Sequence, residues 1–211
     1  KFMLNKSSFF SSLIRPKNIL VLDFDGVFLD SEKIKANTFV NLFSNLSNYQ
    51  IEKIKKHHIE HPSLTRFEKI KIYYEWINKK DLKEFELNIL VKKFGVNCLD
   101  LMLRNEPSKF IKNLLLFRGE NSINYILTKS IEEEVLEYIN KYQINKYIHK
   151  IYDFRFEKSP CLKEISLINK VAVNDVIFIG DSIKDKEASD LAGSTFIFYK
   201  VGLLYNENKF K

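Results

Sequence analysis

Asn18–Ser31 reads NILVLDFDGVFLDS. Four apolar residues, Ile19 to Leu22, run directly into Asp23, Phe24, Asp25 and Gly26. A short apolar run of this kind predicts a buried strand that ends where the acids begin. In an open parallel sheet, the carboxyl end of a strand is where ligands bind. Side chains alternate along an extended chain, so Asp23 and Asp25 point the same way. Two carboxylates on one side of a strand end repel unless a cation or a proton lies between them. That pattern suits a divalent metal held beside a nucleophile.

Working outward, the next strand-like run is Ile123–Leu127, which ends at Thr128-Lys129-Ser130. The periodicity predicts a helix over Glu132–Tyr142, a short strand over Tyr147–Asp153 and a helix over Lys163–Val171. Val176–Ile179 is a second buried-strand run, ending at Gly180-Asp181-Ser182. A helix stopping near Gly193 follows, and Thr195–Phe198 reads as a last strand. Strand and helix alternation of this kind predicts a parallel sheet covered by helices, a doubly wound α/β fold.

Between the first two strands lies a helix-rich block. Ile34, Phe39, Val40, Leu42 and Phe43 recur at helical spacing, and Arg66–Lys80 places Phe67, Ile70, Tyr73, Tyr74 and Ile77 on one face. A third helix is expected over Leu82–Phe94, with Gly95 as its stop. This block interrupts the α/β rhythm after one strand. It is read as an insertion, residues 32–112, into a core built from residues 1–31 and 113–211.

The 211 residues suit one domain with a modest insertion, and 45% hydrophobic content can bury a full core. No apolar run approaches the roughly 18 residues of a membrane span. Cys98 and Cys161 are far apart and lack metal-ligand spacing. A cytoplasmic setting, with no membrane partner, is expected. The net charge of +7 is scattered, with no Arg-rich or aromatic-interleaved block, so nucleic acid is not expected as a partner. Lys1–Arg15 is basic, Ser-rich and free of acids, a targeting flavour without an apolar h-region; a surface lead-in to the first strand is preferred. His57, His58 and His61 are read as a solvated helix end, not as metal ligands.

Asp23-Phe24-Asp25-Gly26-Val27 with Asp30-Ser31 resembles the first motif of the haloacid dehalogenase superfamily. Gly180-Asp181-Ser182-Ile183-Lys184-Asp185 resembles its fourth, and Thr128 matches the Ser/Thr of its second. The resemblance covers roughly Ile19 to Phe198. It implies a Rossmann-like core with a helical cap, and Mg²⁺-dependent hydrolysis of a small phosphorylated metabolite. By the same resemblance Asp23 is the nucleophile and Asp25 the general acid and base, its backbone carbonyl also binding the metal. Asp23, Asp181 and Asp185 complete the metal site, Asp185 from behind the direct ligands. Thr128, Gly26 and Lys129 would meet the phosphate. The third motif is ambiguous between Lys163, which is preferred, and Lys158. Arg66 and Lys69, one turn apart at the cap-helix start, are candidate substrate contacts. A phosphosugar mutase and a non-catalytic binding module with the same fold are the alternatives.

Overall fold

The computed structural model describes residues 18–202, so the Lys1–Arg15 stretch lies outside the described residues. The chain divides into two compact units. One is the inserted unit, Leu29–Glu106; the other joins residues 18–28 to the chain from Pro107 onward. The division therefore falls at 28/29 and 106/107, a few residues earlier at both junctions than the sequence suggests. At the second junction the difference lies in α5 (Lys109–Arg118), which the sequence reading splits but which belongs whole to the sheet unit.

Five parallel strands form the sheet: β1 (Ile19–Leu22), β2 (Asn124–Leu127), β3 (Lys150–Tyr152), β4 (Val176–Gly180) and β5 (Thr195–Phe198), in spatial order β3-β2-β1-β4-β5. The all-apolar β1 sits at the centre, buried at every position, as a strand covered on both faces must be. Parallel pairing requires crossovers. The helices after β2, β3 and β4 supply them: α6 (Glu132–Lys141), α7 (Lys158–Ile168) and α8 (Ile183–Ala192). Alternation along the strands sends Ile19, Val21, Tyr125 and Phe178 into one core cluster, where Leu162 and Ile165 of α7 meet them. Each such fully buried side chain contributes about 1.5–3 kcal/mol over an exposed one.

At the amino ends of the strands, Arg118 is buried at the close of α5. Its Nε donates to Asn124 Oδ1 (2.6 Å) and its Nη2 to the Asn18 carbonyl (2.6 Å). Burial pushes this guanidinium down to about 10. It ties β1 to β2 at the edge opposite the acids.

The inserted unit contains α1 (Glu32–Val40), α2 (Asn48–Glu60), α3 (Arg66–Asn78) and α4 (Glu84–Met102). Phe39 is its hub, with the Phe94 ring 4.2 Å and the Tyr73 ring 5.3 Å away. Capping boxes start α2 at Ser47/Gln50 and α3 at Thr65/Glu68. The expected stop at Gly95 is overturned: α4 runs through it to Met102, because Gly95 lies on the buried face with Phe94, Cys98 and Met102. A mid-helix glycine costs about 1 kcal/mol, which that packing offsets. The buried stripe of α3 also differs from expectation. It is Arg66, Lys69, Ile70 and Tyr73, with Phe67 and Ile77 only half-buried.

Candidate active site

β1 and β4 are parallel neighbours with Leu22 level with Ile179, so the residues that follow each strand emerge side by side. The Asp23 amide donates to the Ile179 carbonyl (2.8 Å), continuing the ladder one step past β1. From here the chain leaves β1 toward β2 on one side and leaves β4 toward β5 on the other. That reversal opens a crevice at the carboxyl ends of the strands. Asp23 and Asp181 stand on its two sides.

Two glycines let the acids crowd together. Gly26 has φ +72°, and a β-carbon there would lie 2.1 Å from Asp181 Oδ2. A β-carbon on Gly180 would lie 2.5 Å from Asp185 Cβ. Carboxylate oxygens of Asp23, Asp181 and Asp185 all fall within 4.8 Å of one another.

Two lysines partly balance this charge. Lys158 Nζ lies 2.9 Å from Asp23 Oδ2 and 2.5 Å from Asp185 Oδ1. Lys200 Nζ lies 3.3 Å from Asp181 Oδ2. Burial pushes Asp23 well above the usual carboxylate range; Lys158 draws it back, while Asp185, Asp181 and Asp25 push it further up. Burial alone would lower Lys158, but the Asp23 and Asp185 carboxylates hold it above the ordinary lysine range. Burial also raises Asp181, to about 6, against the pull of Lys200. Asp185 does double duty: its Oδ2 accepts from the Ser182 amide (3.1 Å) and hydroxyl (2.6 Å), closing a capping box at the start of α8.

The four carboxylates, Asp25 included, thus act on one another while the ion pairs supply two ammonium groups. The converging donors are hard carboxylate oxygens of the kind a divalent cation prefers, and such an ion would relieve the repulsion that the two lysines leave. The residues fit such an ion.

The end of β2 adds the remaining pieces. Thr128 is buried, its amide bonded to the Tyr152 carbonyl (2.9 Å) and its hydroxyl accepting from the Ser130 amide (3.1 Å). The Ser130 hydroxyl donates to Asp25 Oδ2 (2.9 Å), so that carboxylate is held from the β2 side. Lys129 is half-buried and donates to the Phe156 carbonyl (3.3 Å).

Asp23, Asp181, Asp185 and Lys158 are therefore brought together, with Gly26 against Asp181 and Asp25 linked to Ser130. Lys163 is not brought there. It is exposed, and the preference for it over Lys158 is corrected. The physical reason is the start of α7. The helix begins at Lys158, and Ser159-Pro160 sit inside its first turn, where proline is tolerated. Lys163 then lies more than a turn further along. Within the inserted unit, Lys69 Nζ is buried 3.0 Å from His58 Nδ1 and 3.2 Å from the His58 carbonyl, and the Arg66 guanidinium lies over the Phe94 ring at 5.0 Å. The solvated helix end expected of the histidines holds for exposed His61, on which half-buried His57 stacks at 4.0 Å, but not for His58, which is buried.

Ser130 and Lys200 were not singled out from the sequence. The signal for both was positional: each follows the carboxyl end of a parallel strand, where site residues accumulate.

No helix among the described residues is long and apolar enough to cross a membrane. No curated protein matches the sequence. Solved structures do match in fold. CbbY from Rhodobacter sphaeroides, in complex with phosphate, is 14% identical with a TM-score of 0.68, over 91% of this chain and 92% of that one. A predicted phosphoglycolate phosphatase from Haemophilus somnus 129pt is 14% identical with a TM-score of 0.66, over 93% and 92%. A provisionally assigned β-phosphoglucomutase from Thermotoga maritima is 17% identical with a TM-score of 0.62, over 91% and 88%. The sequence profile of haloacid dehalogenase-like hydrolases matches residues 20–199. With its acids converging at the ends of β1 and β4, the chain belongs to the haloacid dehalogenase-like hydrolase family.

Proposed function

We propose that this chain is a Mg²⁺-dependent phosphatase acting on a small phosphate monoester. The observation that carries the reading is the buried Asp23 carboxylate, paired with Lys158 and clustered with Asp181 and Asp185. An Asp23 oxygen attacks phosphorus in line, and the bond from phosphorus to the ester oxygen breaks. Asp25 gives its proton to the departing alkoxide. Asp25 then takes a proton from water, whose oxygen attacks the same phosphorus and releases phosphate and the Asp23 carboxylate. Asp23, Asp181 and the Asp25 carbonyl would hold Mg²⁺, with Asp185 supporting them from behind; the ion would supply charge neutralisation where two anions meet. Lys158 draws Asp23 back toward the ionised form against its burial, and a bound cation would complete that shift. Thr128 and Lys129, with the amides that open α6, receive the phosphoryl oxygens. Substrate selection is assigned to the inserted helical unit.

Transfer of the same phosphoryl group to a sugar hydroxyl instead of water would make the protein a mutase; the folds of both kinds of enzyme resemble this one. A phosphate-release screen over a metabolite panel with Mg²⁺ tests the assignment, with sugar isomerisation followed in parallel. Asp23→Asn is expected to lose at least about 10³-fold in turnover with the fold intact. A wild type that releases no phosphate with any divalent ion, or an active Asp23→Asn, refutes it.

A further inference from the structure

The segment just past β5 crosses back over the site. The Tyr199 amide donates to the Gly180 carbonyl (2.9 Å), and the Val201 amide donates to the Gly26 carbonyl (2.7 Å). These are the two glycines that let the acids approach each other. The Tyr199 hydroxyl is anchored 2.5 Å from Ser108 Oγ, and its ring lies 4.7 Å from Phe110. Lys200 is thus fixed in the chain between two backbone bonds, and its ammonium reaches Asp181 (3.3 Å).

The two lysines of the site differ. The Lys158 side chain is 11% exposed and bridges Asp23 and Asp185, whereas that of Lys200 is 27% exposed where it reaches Asp181. An ammonium at that distance neutralises Asp181, and it repels any second cation that seeks the same carboxylate. A lysine with access to water can swing aside at small cost, because its head is rehydrated. Lys158 has no such outlet.

We propose that Lys200 is a tethered counter-cation that competes with the divalent ion for Asp181 and so sets the metal affinity of the site. This rests on the metal-dependent reading above. Lys200 stabilises the ion-free protein and opposes loading. It is a positioning residue, with no bond made or broken at it.

Mn²⁺ binding to the full chain, measured by titration calorimetry without substrate, tests this. Lys200→Met and Lys200→Gln are expected to bind Mn²⁺ about three- to fivefold more tightly than wild type, the scale of one half-exposed ion pair. Lys200→Arg is expected to match wild type. In chelator, the Met and Gln variants should melt below wild type, and saturating Mn²⁺ should close that gap. Equal or weaker Mn²⁺ binding by both uncharged variants overturns the inference, while the metal site itself stands if Asp181→Asn weakens binding. Wild type that binds no Mn²⁺, or an Asp181→Asn that binds it as wild type does, removes the metal reading and the inference with it.

Discussion

Gly26 packs so closely on Asp181 that a methyl group on its α-carbon would stand 2.1 Å from the carboxylate oxygen Oδ2. No side chain fits between them without moving one segment. The contact joins the loop after β1 to the loop after β4 and fixes how far apart the two acids can sit. Gly26→Ala also places a β-carbon at φ +72°. The backbone alone is expected to cost about 1–2 kcal/mol. Displacing Asp181 by about 1 Å should cost on the order of 10²-fold in kcat. Steady-state kinetics beside a urea melt separates the two effects.

Lys158 and Lys163 offer a paired test on one helix. Lys158→Met removes the ammonium between Asp23 and Asp185 and is expected to lower kcat by about 10²–10³-fold. Lys163→Met changes an exposed residue and should stay within about 0.5 kcal/mol in stability and about twofold in rate. Equal losses in both would contradict the placement of Lys158.

The acids also set a pH dependence. Asp181 is raised to about 6, and Asp23 is raised as well. In the metal-free protein both favour the protonated form, so their contribution to stability is full below the ordinary carboxylate range; that of Asp181 is lost as pH climbs through about 6, and that of Asp23 as pH climbs through its own raised value. A bound divalent ion requires the ionised form and reverses that trend. Apparent Mn²⁺ affinity is therefore expected to fall as pH drops through about 6, by about tenfold per unit for each proton displaced. Calorimetry in buffers of different ionisation enthalpy counts those protons.

Ser130 holds Asp25 by one hydrogen bond of 2.9 Å. Ser130→Ala is expected to lower kcat by roughly ten- to a hundredfold, the scale of a bond to a charged acceptor, with KM little changed. Ser130→Thr keeps the hydroxyl and should restore most of the rate. A loss confined to KM would instead place Ser130 against the substrate.

Much of this arrangement was legible in the residues. β1 and β4 announce themselves as apolar runs that stop at acids, and parallel strands bring such stops to one edge. The pairing of Asp23 with Asp181 was implied by the family resemblance, and the adjacency of β1 and β4 gives its physical basis. What could not be read was the phase of α7. A Pro at its third position looks like a boundary, yet the helix opens two residues earlier and swings Lys158 inward. Gly95 misled in the same way, since burial decided what propensity left open. Lys200 was hidden for a different reason: its contact depends on a strap whose hydrogen bonds go to glycine carbonyls, and backbone acceptors leave no trace in side-chain chemistry.

Asp185 stitches the first turn of α8 and also receives Lys158. Anyone who deletes its carboxylate to probe the reaction will loosen a helix in the same stroke. A silent Asp185→Ala enzyme would therefore say little about chemistry, whereas a silent Asp23→Asn enzyme, whose residue starts no helix, can be taken at face value.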